Sequence, residues 1–394
     1  MSYQFDLYQT LGIAVVMLLF GGWLKKKIPF LQKYCIPAPV VGGLIYALVM
    51  TVVYGFSGFE FHYDETVKTI CMVMFFASVG FQADFKMLKS GGLSLLIFLV
   101  IIAALIFAQN GAALGIAKMI GVDLKVGLAT GSIPMVGGHG TAGAFGPILE
   151  DFGLMGATSV CAAAATYGLI AGSIMGGPLA QGLIRKNQLQ KSLSTEENAE
   201  IEEEKAEHHS AADFAGAVYQ MAIAMGLGTL VSWLLSLTGL TFPNYFGALV
   251  VALLMRNICD KVRPSLIHIN EINVIGEISL NLFLGIAMIT LKLWQMANLA
   301  LPMLILLLAQ TVLMFGFARF VVFNFMGRDY DAAVLAAGTC GFGMGATPNA
   351  MANMQAVTRK YGPSVKAYLL VPVVGGMFAD IINSLTITLF INMI

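Results

Sequence analysis

The sequence predicts an all-α polytopic membrane protein, with ten transmembrane helices in two inverted five-helix repeats, each bearing a re-entrant hairpin. Three observations predict it. Of 394 residues, 58% are hydrophobic and only 11% charged, against roughly 25% charged in soluble domains, which excludes a soluble protein. The apolar residues fall into ten stretches of the length that crosses a hydrocarbon core, five on each side of a polar break. Two further segments are too apolar for exposed loops yet broken by glycine and proline. The 22 basic and 22 acidic residues cancel, so net charge points to no nucleic acid or acidic partner and only its distribution is informative, while the hydropathy makes the lipid bilayer the partner.

The first span, 7–24, follows Asp6 rather than a basic stretch and ends at Lys25-Lys26-Lys27 without a small-residue cleavage site, so it reads as a helix and not a signal peptide. Spans two to five cover 38–55, 67–83, 91–117 and 154–183. From Asn187 to Ser210 the chain is rich in glutamate and poor in apolar residues, as a solvated tether is. His208 and His209 sit there with no third ligand nearby, and no metal site is read from them. Spans six to ten cover 214–237, 245–259, 272–291, 298–326 and 366–392. The chain thus divides into an N-terminal repeat, 1–186, an acidic linker, 187–211, and a C-terminal repeat, 212–394. Five scattered cysteines with no CxxC pair give neither a disulfide framework nor a zinc site.

Cytoplasmic loops of membrane proteins are enriched in Lys and Arg. With the N-terminus outside, all but Lys68, Lys118, Lys125 and Lys292 of the 22 basic residues fall in cytoplasmic connections. Both termini are therefore expected outside and the acidic linker inside. Halves with an odd number of spans must run in opposite directions. A weak internal similarity agrees, pairing Pro37 with Pro243, Asp123 with Asp329, Gly131 with Gly338, Gly138 with Gly345 and Gly153 with Gly362.

The broken segments, about 125–153 and 331–362, are the candidate re-entrant hairpins. Each glycine costs about 1 kcal/mol in a helix interior, and non-helical backbone at membrane depth survives only where protein, or whatever fills a watered cavity, satisfies it. Helix N-termini suit a carboxylate, while unwound carbonyls suit Na⁺. Entering from opposite sides, the two tips can meet near the midplane. The substrate candidates are Ser132, Gly137, Gly138, His139, Gly140 and Thr141 in the first hairpin and Gly343, Gly345, Ala346, Thr347 and Asn349 in the second. His139 has two readings, donation to a substrate carboxylate or a capping and packing role. The hydroxyls and amides of the set either coordinate ion and substrate or bond their own backbone.

The sodium candidates are Asp380, Asn383, Ser384, Asn353 and Gly341. Asp380 lies near the middle of the last span with no basic neighbour in sequence, and an intramembrane carboxylate is a functional hypothesis by default: cation ligand, proton carrier or partner of a substrate ammonium. The repeat does not duplicate it. Glu277 and Arg319 lie near the ends of their spans, where snorkelling competes with function. Gly168, Gly172 and Gly176 repeat at four-residue spacing and read as close helix packing. The GxGxx(G/A) run from Gly341 to Ala346 has no βαβ unit around it and is not read as a dinucleotide site.

Several stretches together resemble bacterial sodium/glutamate symporters of the glutamate:sodium symporter family. They are Gly137-Gly138-His139-Gly140-Thr141, Leu291-Lys292-Leu293-Trp294, Leu299 to Leu304, Tyr330 to Gly338, Cys340 to Pro348 and Ala352-Asn353-Met354-Gln355-Ala356. The resemblance implies Na⁺-coupled uptake of L-glutamate across the bacterial cytoplasmic (inner) membrane, with Na⁺ as coupling ion and no other cofactor. It further implies a homodimer and elevator-like movement of a substrate-carrying domain. The rival readings are a sodium symporter of another carboxylate, such as citrate or aspartate, and a channel. No HExxH or GxSxG constellation suggests an enzyme, and no GxxxxGK(S/T) suggests an ATP-driven pump.

Overall fold

The computed structural model describes residues 2–34, 36–84, 92–189, 210–237, 243, 245–263 and 266–394. Most of the acidic linker, with His208 and His209, lies outside the described residues, as do Lys86 and Lys89 of the basic count. In chain order the N-terminal helices are α1 (Leu7–Lys27), α2 (Pro29–Lys33), α3 (Ala38–Ser57), α4 (Thr66–Gln82), α5 (Gly92–Ile120), α6 (Leu124–Thr130), α7 (Ser132–Met135), α8 (Gly138–Asp151) and α9 (Ala157–Lys186). The C-terminal ones are α10 (Ala211–Ser236), α11 (Phe246–Val262), α12 (Ile269–Ile289), α13 (Ala300–Phe325), α14 (Tyr330–Phe342), α15 (Thr347–Tyr361) and α16 (Val365–Ile391).

Eight of these, α1, α3, α5, α9, α10, α12, α13 and α16, are long and apolar enough to cross a membrane. The protein is an all-α polytopic membrane protein. The remaining expected spans fall on α4 and α11, each of 17 residues, the latter carrying Arg256, Asp260 and Lys261. Two of the long helices are interrupted by a π-helical turn, α13 at Ala318–Val322 and α16 at Val374–Phe378.

Local chemistry explains the helix ends. Asp6 and Gln9 form a reciprocal capping box at the start of α1, and Lys25, Lys26 and Lys27 sit in its last turn, where cations favour the carbonyl end. Where helices approach closely, glycine permits it: a Cβ at Gly42 of α3 would run into the Met17 carbonyl of α1, and one at Gly80 of α4 into the Leu249 carbonyl of α11.

The helices sort into two packing groups. One comprises α1, α3, α4, α10, α11 and α12; the other comprises α5 to α9 and α13 to α16. Between them close backbone approaches are sparse, chiefly α12 with α8, α4 with the π-turn of α16, and α3 with the 3₁₀ segment Leu293–Leu299, while side chains such as Phe76 and Leu249 of the first group share a buried apolar cluster with Phe145 and Ile387 of the second. Each group draws on both sequence halves, so the packing units cut across the division at the linker.

Polar contacts gather the connections at two ends of α4. At its start, β1 (Ser2–Gln4) pairs in parallel with β2 (Glu60–His62), and Lys292 Nζ, just past α12, lies 2.6 Å from Glu60 Oε1. That hydrogen bond, with the lysine's charge, holds the Glu60 carboxyl below the usual carboxylate range. At the far end, Arg256 of α11 lies 3.8 Å from Asp84 and 3.0 Å from Asp260.

Candidate substrate and ion site

The first hairpin starts with α6, whose Asp123 caps it by accepting from the Lys125 N–H. The helix breaks at Gly131, and the backbone groups freed there find partners on neighbouring helices. Asn110 of α5 accepts from the Ser132 N–H at 2.9 Å and donates to the Ser132 hydroxyl at 2.8 Å, while Asn383 of α16 donates to the Ser132 carbonyl at 3.1 Å. Ser132 is fully buried and all three of its polar groups are engaged by protein amides, so this break is satisfied without a ligand. After Gly137, α8 begins at Gly138, with φ +58°.

The second hairpin mirrors this order. Asp329 caps α14 by accepting from the Ala332 N–H, and the Tyr330 hydroxyl donates to the Gly362 carbonyl at the hairpin's far end. The chain turns through Gly343, Met344 and Gly345, where Gln109 of α5 donates to the Gly343 carbonyl at 2.8 Å, and α15 then starts at Thr347. A Cβ at Gly138 would stand 2.8 Å from the Gly345 carbonyl oxygen: the two tips touch. Neither α8 nor α15, the helices that start at the tips, has a side-chain cap. The first-turn N–H groups of α8 and, in α15, the Thr347 N–H alone (Pro348 has none and the Asn349 N–H donates to the Ala346 carbonyl), with the positive ends of both dipoles, lie at the tips, an arrangement suited to an anion.

Gly168, Gly172 and Gly176 of α9 are the floor on which the second hairpin lies. Cβ atoms there would run into the Met344 carbonyl, the Cys340 carbonyl and the Asn353 side chain respectively. Asn349 donates to the Leu169 carbonyl at 3.0 Å, and Asn353 to those of Gly172 at 2.9 Å and Ala337 at 3.2 Å. Gly341 faces α15, where a Cβ would meet the Ala350 amide. Asn353 and Gly341, named as sodium candidates, thus take part in hairpin packing. The amide oxygens of Asn349, Asn383, Gln109 and Gln310 are buried with no hydrogen-bond partner among the described residues, and they are neutral oxygens of the kind a hard cation takes.

The π-turn of α16 opens the other side. A Cβ at Gly375 would lie 2.8 Å from the Phe342 ring, and one at Gly376 would lie 3.6 Å from the Thr347 hydroxyl. A crevice of about 460 Å³ lies there, lined by Gln82, Thr347, Pro372, Val373, Gly376 and Met377. Asp380 follows two residues past the π-turn; it is half-buried and, among the described residues, has no hydrogen-bond or ion-pair partner. One turn on, the Ser384 hydroxyl lies 3.2 Å from that of Tyr245, which stacks on Phe76 at 3.6 Å between ring centres.

In the first hairpin, Thr141 covers Gly137, Gly140 abuts Phe75 and Leu280 of the other packing group, and His139 is buried with Nε2 3.0 Å from the Thr166 hydroxyl. Ala346 and Thr347 are half-buried at the second tip. Glu277 lies on the exposed face of α12, and the Arg319 guanidinium lies 5.7 Å from the Phe320 ring centre.

A model of the sodium/glutamate symporter family matches residues 3–363. The chain belongs to that family. It is similar to the sodium/glutamate symporter of Haemophilus influenzae, 39% identical over 393 residues that cover 98% of this chain and 96% of the relative. It is equally similar to that of Escherichia coli K12, 39% identical over 99% of this chain and 98% of the relative. For this member of the sodium/glutamate symporter family, sequence reasoning passed over Gln82, Gln109, Asn110, Thr166, Gln310 and the Gly375-Gly376 turn. The signals were present: single amides inside apolar spans, and paired glycines between Pro372 and Asp380.

Proposed function

We propose that the protein is a sodium-coupled symporter that takes up L-glutamate across the bacterial cytoplasmic membrane. The observation that carries the reading is the contact of Gly138 with the Gly345 carbonyl, where two uncapped helix N-termini converge in a member of the sodium/glutamate symporter family. The substrate's carboxylates take the first-turn N–H groups of α8 and the Thr347 N–H of α15, and the Thr347 and Asn349 side chains border that cradle. Na⁺ takes Asp380 with the unpartnered amide oxygens of Asn383 and Asn349. A half-buried carboxylate at membrane depth is costly without a cation and much less so when paired with Na⁺, so ion binding favours the loaded site.

The same proposal includes ten crossings, with α4 and α11 as the short ones, and two inverted repeats whose hairpins are re-entrant. The gathering of Ser2–Gln4, Glu60 and Lys292 at one end of α4, and of Asp84 and Arg256 at the other, supports placing the N-terminus and Arg256 on opposite sides, and the distribution of basic residues supports both termini outside and the acidic linker in the cytoplasm. Sparse close backbone approach between the packing groups supports an elevator in which the hairpin-bearing group moves against the other. The family resemblance supports a homodimer.

Labelled L-glutamate is expected to accumulate in proteoliposomes on an inward Na⁺ gradient and to be competed weakly by citrate and malate. Accumulation that persists when K⁺ replaces Na⁺ would count against the proposal, and saturation by citrate at lower concentration than by glutamate would transfer it to another carboxylate.

A further inference from the structure

We propose that Thr166 is a positioning residue that holds His139 in a single tautomer, so that the first hairpin tip selects a substrate carrying an ammonium group. The inference rests on the reading of a glutamate site at the tips. His139 is the second residue of α8, and its Nε2 lies 3.0 Å from the Thr166 hydroxyl of α9. The same hydroxyl lies 3.0 Å from the Ala162 carbonyl one turn earlier. A carbonyl cannot donate and a hydroxyl has one proton, so with the Thr166 proton on the Ala162 carbonyl, as the proposal takes it, only a lone pair faces the ring. Nε2 must then carry the imidazole hydrogen. In the neutral ring that leaves Nδ1 bare, a hydrogen-bond acceptor, and no partner for it occurs among the described residues.

This reverses the donor role that the sequence suggests for His139. Nδ1 is bonded to the ring carbon that carries the side chain and therefore stays beside the first turn of α8, whose N–H groups attract a carboxylate. An α-amino acid brings both signs at that spacing, a carboxylate for the helix N-terminus and an ammonium for Nδ1. A plain dicarboxylate brings acceptors only and leaves the ring nitrogen unpaired, and a site built to pair a substrate donor rejects an analogue that lacks it.

The test uses Na⁺-driven uptake of labelled L-glutamate into proteoliposomes, with glutarate, the same five-carbon dicarboxylate without the ammonium, as competitor. Thr166→Val keeps the shape and removes the hydroxyl. It is expected to raise the glutamate KM about tenfold while moving the glutarate inhibition constant less than about twofold, and Thr166→Ser is expected to restore the preference. A Thr166→Val protein in which both constants rise in proportion, or neither moves, overturns the proposal. A second pair guards against misfolding. His139→Asn places an amide oxygen where Nδ1 was, whereas His139→Gln reaches only toward Thr166, so Asn should retain more of the glutamate preference; equal loss overturns the assignment. Wild-type protein that takes up no glutamate on a Na⁺ gradient would overturn the transport function itself, a failure distinct from these.

Discussion

At Gly138 the backbone has φ +58° and a Cβ would stand 2.8 Å from the Gly345 carbonyl. Alanine there meets a left-handed backbone, worth roughly 1–2 kcal/mol, and pushes the tips apart. Gly138→Ala is expected to lower glutamate uptake at least about tenfold in inserted protein, whereas Gly12→Ala, in open space, should leave it unchanged; equal activities in the uptake assay would contradict the tip contact. Asp380→Asn removes the charge and keeps the shape, and should shift the Na⁺ requirement strongly upward without loss of insertion. An unchanged Na⁺ dependence would return Asp380 to a structural role. Outside the membrane, the Glu60 carboxyl is held low by Lys292. Its contribution to stability is therefore complete above the ordinary carboxylate range and is lost as pH falls through the lowered folded value. Acid unfolding should show this component in the wild type and lack it in Lys292→Gln.

The two hairpins show how much an element discloses through its sequence. Gly137-Gly138 and Gly343 to Gly345 were legible because glycine at that density is a poor helix former, and the internal shift paired Gly138 with the Gly345 it meets. The contact of Gly168, Gly172 and Gly176 with a helix was legible too, though not that the partner is the second hairpin. What satisfies the backbone at Gly131 was not legible. Asn110 lies in the most apolar of the eight long helices, and averaging hydropathy over a span hides one amide. The π-turn at Val374–Phe378 escapes because a shift in backbone hydrogen bonding leaves hydropathy unchanged. Asn110→Ala is expected to destabilise the fold by about 1–3 kcal/mol, since it leaves a buried Ser132 N–H unpaired; a melting curve identical to wild type would contradict this. Burial also separates two positions in the tips: Ala142 is 1% exposed, whereas Ala346 is half-buried. A cysteine at Ala346 should react with small hydrophilic thiol reagents, more slowly in Na⁺ plus glutamate, and one at Ala142 should not.

For the molecule as a whole, the proposed transport function would use the separation into two packing groups, one moving against the other, for alternating access. A Cβ at Gly140 of the hairpin-bearing group would lie 3.7 Å from the Leu280 side chain of the other group. Cysteines at Gly140 and Leu280 joined by a short cleavable crosslinker should stop uptake, and cleavage should restore it; uptake that continues while crosslinked would argue for a static pathway. The central claim is that glutamate and Na⁺ share one site at the tips, which makes their binding mutually dependent, and linkage requires that dependence to be reciprocal. Calorimetric titration of the purified protein with L-glutamate, in Na⁺ and again in K⁺ at equal ionic strength, tests it most directly. The account predicts affinity at least about tenfold higher in Na⁺, equivalent to about 1.4 kcal/mol of coupling, and loss of that difference in Asp380→Asn. Equal glutamate affinity in Na⁺ and K⁺ would contradict it.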